Sequence, residues 1–96
     1  MYKDVLNKKV LVRSYDAGVY FGTLTNVKGD IVRLENVRNI WRWEGASCLS
    51  QIANDGIKKG EVSPVVSSMV LNKVCQIIPC TLTAIKNLED QPIWKY

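Results

Sequence analysis

Apolar and polar positions alternate with a period of two from Lys8 to Trp43, and the spacing becomes helical only after Glu44. Alternation of this kind describes strands whose successive side chains point to opposite faces. "KKVLVRSY" sets Val10 and Val12 against Leu11 and Arg13, "DAG" at Asp16–Gly18 reads as a turn, and "VYFGTLTNV" follows as a second strand. Within that strand Gly22 marks a bulge, a sharp bend or a close approach of backbones. "KGD" at Lys28–Asp30 is a tight hairpin signal, because Gly29 takes positive φ without strain. The third strand is "IVRLENV", and "RNIWRW" either continues it past a kink or forms a fourth.

Gly45 breaks the strand pattern, Ser47 is placed as an N-cap, and Leu49, Ile52 and Ala53 fall at helical spacing until Gly56. "KKGEVSPVVSS" has no periodicity and carries Gly, Pro and Ser. It predicts an exposed loop or arm over residues 58–68. The apolar run Val74–Ile78, ended by Pro79, predicts a strand buried on both faces. Thr81 then caps a second helix with Leu82, Ile85 and Leu88 on one face, closing at "EDQP", and "IWKY" adds a short strand. The resulting expectation is an α+β fold in one domain over residues 1–96, a small bent antiparallel β-meander or SH3/Sm-like barrel with two short helices.

Composition sharpens this in two places. With 96 residues, 47% hydrophobic and 23% charged, there is room for one modest core, so self-association into a homo-oligomer is a natural supplement. The net charge of +4 is concentrated: residues 1–60 hold ten Lys/Arg against six Asp/Glu, and residues 61–96 hold three of each. That excess favours anionic partners without forming the dense stripe of a dedicated DNA binder. Three cysteines with no C-x-x-C pair and no histidine argue against a metal site, and nothing in the chain calls for a cofactor. All three thiols are expected as reduced, buried packing residues. The charged opening "MYKDVLNKKV" and the lack of a bilayer-length apolar run predict a cytoplasmic protein with no membrane segment.

Catalysis has little support. Histidine is absent, and Asp16, Asp30, Glu35, Glu44 and Asp55 are scattered rather than paired at a working spacing. Cys48, close to a predicted helix start, is the one candidate for a lowered thiol pKa. The stretch "VRNIWRWEGASCLSQIA" carries more information. On a regular strand Asn39, Trp41 and Trp43 share one face, and Arg38, Ile40 and Arg42 the other. Packing of the Trp face on the core is one reading. The other is a ligand site: Gly45 and Ala46 expose backbone N–H groups near Ser47 and Gln51, Arg38 or Arg42 contacts a phosphate, and Trp41, Trp43, Tyr15 or Tyr20 stacks on a base.

"VLVRSYDAGVYFGTL", "VRNIWRWEGASCLSQIANDG" and "IIPCT" followed by a helix and "IW" together resemble a family of small proteins encoded by tailed bacteriophages and prophages. Its specific element is W-x-W-x-G-A, present as Trp41, Trp43, Gly45 and Ala46, and the resemblance runs from about Lys9 to Trp94, with its variable part at an exposed loop of about residues 58–72. It implies an origin, with the host cytoplasm as the place of action, and no activity. Three roles follow as expectations: a homo-oligomeric protein that sequesters a nucleotide immune signal of the host, an anti-defence sponge; a structural or assembly component of the phage; or a single-stranded nucleic-acid-binding module.

Overall fold

A computed structural model describes residues 2–95. After a short 3-10 turn at Tyr2–Asp4, the chain forms β1 (Lys9–Ser14), β2 (Gly18–Lys28) and β3 (Ile31–Glu44), then α1 (Leu49–Asp55) and β4 (Lys59–Val62). β5 (Val66–Leu71), β6 (Val74–Pro79) and α2 (Leu82–Asp90) follow. All six strands pair antiparallel in one sheet, ordered β4-β3-β2-β1-β6, and β5 lies end to end with β4 along the same side of β3. This is the expected α+β class, a bent antiparallel sheet with two short helices.

The alternation in β1 shows why the sheet bends. Leu11 joins Val19, Phe21, Ile40 and Val62 beneath the helices, where Ile52, Ala53 and Leu88 complete the cluster. Val10 and Val12 point the other way, into a second cluster with Leu24, Val32, Leu34, Val37 and Leu71. No residue of either helix belongs to that second cluster; the sheet curls around it, and Val5 and Leu6 from the segment before β1 pack against it. Gly22 sits at the bend as a bulge in the β2–β3 pairing; a Cβ there would lie 3.1 Å from the Glu35 carbonyl oxygen. Gly29 has φ of 60° in the β2–β3 hairpin, as its turn requires.

Several expectations are corrected. Residues 58–68 are largely exposed, as expected, but they are not one loop: β4 and the start of β5 pair with β3 on either side of residues 63–65, and no alternation shows because each strand has a single buried position, Val62 in β4 and Leu71 in β5. "RNIWRW" continues β3. The Val74–Ile78 strand is half-exposed rather than buried on both faces, since β6 pairs only with β1 at the sheet edge. Residues 93–95 of "IWKY" form no strand, and Tyr96 lies outside the described residues. The N-cap of α1 is Cys48, and Ser47 instead donates its backbone N–H and hydroxyl to Gln51 Oε1. Thr81 does cap α2, accepting from the Ala84 N–H at 3.1 Å. The face of α2 that packs is Ala84, Ile85 and Leu88, while Leu82 is 85% exposed. Cys48 and Cys75 are exposed, which corrects the expectation of buried thiols for those two, whereas Cys80 is half-buried and packs against the helix-side cluster.

The helices are tied to each other and to the strand that follows. Asn87 of α2 accepts from the Ile57 N–H through Oδ1 and donates through Nδ2 to the Ile57 carbonyl, both at 2.8 Å. The Thr81 hydroxyl donates to the Asn54 carbonyl at 2.6 Å. These bonds fix where the chain leaves α1 and enters β4, which forms one wall of the site.

Candidate functional site

Strict alternation fails at the end of β3. A register shift between Ile40 and Arg42 in the β3–β4 pairing places Ile40 in the core and lets Trp43, three residues on, pack against the same cluster. The expected sharing of one face by Trp41 and Trp43, opposite Ile40, is therefore corrected by a bulge. Trp43 is half-buried and anchored, whereas Trp41 is 55% exposed.

The third tryptophan comes from the far end of the chain. The Trp94 backbone N–H donates to the Val62 carbonyl on β4 at 3.0 Å. This sets the Trp94 ring edge-on to Trp41, with centroids 6.2 Å apart and planes at 63°. All three tryptophans of the chain thus meet at one groove.

The groove has two parts that share Trp41 and Trp43 as a common wall. The first, of about 670 Å³, lies toward β4 and is closed by Trp94, Arg42, Glu44 and the segment Lys59–Glu61. Its charges are balanced: Arg42 faces Glu61 in the strand register, and Lys59 faces Glu44 with an ion pair at 3.1 Å. Gly60 forms its floor, where a Cβ would overlap the Arg42 carbonyl oxygen. The second part, of about 550 Å³, lies toward the β1–β2 hairpin and is bounded by Arg13, Tyr15, Val19, Asn39, Cys48 and Leu49.

The residues singled out from sequence separate into three groups. Trp41, Arg42 and Trp43 line the first part, and Tyr15, 82% exposed, joins the two tryptophans in the second. Gly45, Ala46, Ser47 and Gln51 lie beyond the strand end in the turn to α1. There the Ser47 N–H is held by Gln51 Oε1 at 2.8 Å. Gly45 has its own structural reason: φ of 95°, with the Lys58 backbone nitrogen 2.8 Å from where a Cβ would stand.

Arg38 and Tyr20 belong elsewhere. Arg38 is only 4% exposed and its guanidinium donates to the carbonyls of Ser63, Leu88 and Glu89 at 2.8, 2.9 and 3.3 Å. It joins the break between β4 and β5 to the end of α2, outside both parts of the tryptophan groove. Burial lowers its pKa from the ordinary arginine value. Tyr20 packs on the second hydrophobic cluster, inside the curl of the sheet. Sequence reasoning missed Arg13, Lys59 and Trp94, whose place in the groove depends on long-range pairing.

Cys48, on the rim of the second part, has a thiol pKa lowered chiefly by the Gln51 backbone N–H. Cys80, under α2, is pushed up to about 11 by burial. Among the described residues no group of His, Cys, Asp or Glu is arranged to hold a metal ion, and no helix is long and apolar enough to cross a membrane.

No curated protein and no solved structure matches the chain. A family model described as a domain of unknown function, DUF6948, matches residues 7–88, and the chain belongs to that family.

Proposed function

We propose that the chain is a non-catalytic binding protein that holds a nucleotide in the tryptophan groove, with a second copy of the chain closing the groove over it. The observation that carries this reading is the convergence of Trp41, Trp43 and Trp94, two of them substantially exposed, beside Arg13, Arg42 and Lys59. Exposed aromatic surface of this kind is costly to leave in water and is what a planar base stacks on. Both parts of the groove are open to solvent along one side, whereas small-molecule sites enclose most of their ligand. A second protomer supplies the missing wall. The resemblance to tailed-phage proteins gives this binding a purpose: stoichiometric sequestration of a nucleotide signal of host immunity in the host cytoplasm.

The test is tryptophan fluorescence of the purified protein titrated with mono-, di- and cyclic nucleotides, with native mass spectrometry on the same samples. A saturable change, an intact ligand bound at a fixed ratio and a dimeric or larger mass support the reading. An absence of response from every nucleotide removes it.

A role in phage assembly is the second reading, favoured by β5. This strand has no charged residue, is paired on one side only, and exposes Val66 and Val70 next to exposed Val65. Uncharged strand edges are sites where another chain adds on. Detection of the protein in purified particles would favour assembly over sequestration.

A further inference from the structure

The two parts of the groove differ in charge. In the first, two cations face two carboxylates across the β3–β4 pairing, so its walls sum to zero. In the second, Arg13 is the one Lys, Arg, Asp or Glu side chain among the lining residues. The nearest acid in sequence on the same hairpin, Asp16, is held by Lys73 at 2.7 Å. Among the described residues no carboxylate lies within ion-pair distance of Arg13.

Arg13 is also at a telling distance. It pairs with Val19, and Val19 pairs with Ile40 beside Trp41, so the guanidinium's strand stands two strand spacings from the tryptophan ridge. Two spacings amount to about 10 Å, a reach that one nucleotide spans from base to phosphate. An exposed guanidinium with no competing carboxylate keeps its whole set of donors for a planar oxyanion.

We infer that the hairpin-side part of the groove is a phosphate subsite held by Arg13, and that the ligand is a nucleoside phosphate lying across the Trp41–Trp43 ridge with its base in the charge-balanced part beside Trp94. This rests on the tryptophan groove being the ligand site, and it moves the anion away from Arg42 and from the turn at Gly45–Ser47. Tyr15 closes the outer side of the phosphate subsite, and Cys48 reports on its occupancy without taking part.

The experiment compares adenosine and guanosine with their 5′-monophosphates by tryptophan fluorescence on wild type, Arg13→Gln, Arg42→Gln and Arg33→Gln. Arg33 carries the same charge on β3 outside both parts of the groove. Expected is a preference of about tenfold for the phosphorylated form, abolished by Arg13→Gln with nucleoside affinity unchanged, and retained by Arg33→Gln. In a Cys75→Ser background the monophosphate, and not the nucleoside, slows the reaction of Cys48 with a disulfide reagent. Survival of the preference in Arg13→Gln, or its loss in Arg42→Gln alone, overturns the subsite while the groove stands as the ligand site. Equal affinity for nucleoside and nucleotide in wild type overturns it as well. If no nucleoside or nucleotide changes the fluorescence, both this assignment and the nucleotide reading of the groove fall.

Discussion

Consider replacing Arg38 with methionine, which keeps most of the side-chain volume and removes every donor. The guanidinium makes three bonds to main-chain carbonyls, of Ser63 at the β4–β5 break and of Leu88 and Glu89 in the last turn of α2. Bonds from a charged donor contribute about 1.5–3 kcal/mol each. Three bonds from one group do not add, and the charge at the end of α2 contributes a further fraction through the helix dipole. Against this, methionine is relieved of the desolvation that the buried guanidinium suffers. The net loss works out at about 3 kcal/mol. For a 96-residue domain that is a fall in Tm on the order of 15 °C. Arg38→Lys should lose less, because one ammonium reaches some of the carbonyls but cannot fork between β4 and α2. Thermal and urea unfolding followed by far-UV circular dichroism measure this, with exposed Arg42→Ala expected to stay within about 0.5 kcal/mol of wild type. An Arg38→Met protein as stable as wild type would refute the argument. Unchanged stability with lost nucleotide response would return Arg38 to the ligand site.

Other substitutions separate groove from scaffold. Gly45→Ala combines positive φ with a Cβ against the Lys58 backbone, and should destabilise by about 3 kcal/mol in urea titrations. Trp41→Ala should change stability by less than about 1 kcal/mol, because the ring is mostly exposed, yet abolish the fluorescence response to ligand. Asn87→Ala leaves the Ile57 N–H without its partner and the Ile57 carbonyl with only the longer bond from Gln91 Nε2 at 3.3 Å, and should cost about 2 kcal/mol in the same unfolding assay. Cys80 is raised from 9.0 to about 11 by burial, so the unfolded thiol ionises first as pH rises. Stability present below pH 9 is then lost between about pH 9 and 11, by on the order of 2 kcal/mol. Cys80→Ala should flatten that part of the pH–stability curve.

The strands legible in the sequence were those buried on both faces or joined by a tight turn. Val10, Leu11 and Val12 alternate between two cores, Gly29 closes a hairpin, and Thr81 starts α2. What escaped was governed by partners distant in the chain. "KGEV" and "VSSMVL" carry no periodic signal because each buries a single position, Val62 and Leu71, and Pro64 interrupts the line they form along β3. Arg38 reads as a solvated charge in any local window, since the three carbonyls that accept from it lie 25 to 51 residues away. The Trp41–Trp43 half of the groove was visible as a motif. Its Trp94 and Arg13 walls were not, because one arrives from beyond α2 and the other from across two strands.

The bulge at the end of β3 explains why fold and site coincide. A regular strand would have put Trp41 and Trp43 side by side on one face, either both in the core or both in water. The shift between Ile40 and Arg42 divides their tasks: Trp43 is fixed by the hydrophobic cluster beneath α1, and Trp41 is left projecting beside it. Opposite Trp43 in the register stands Gly60, whose missing Cβ lets β4 approach the Arg42 carbonyl and the Ile57 side chain. Any larger residue there would push β4 outward and carry with it the Val62 carbonyl that seats Trp94. The groove therefore depends on small-residue packing behind it as much as on the aromatic rings that line it. Gly60→Ala should disturb ligand response through the position of Trp94 even though Gly60 has no side chain to bind anything.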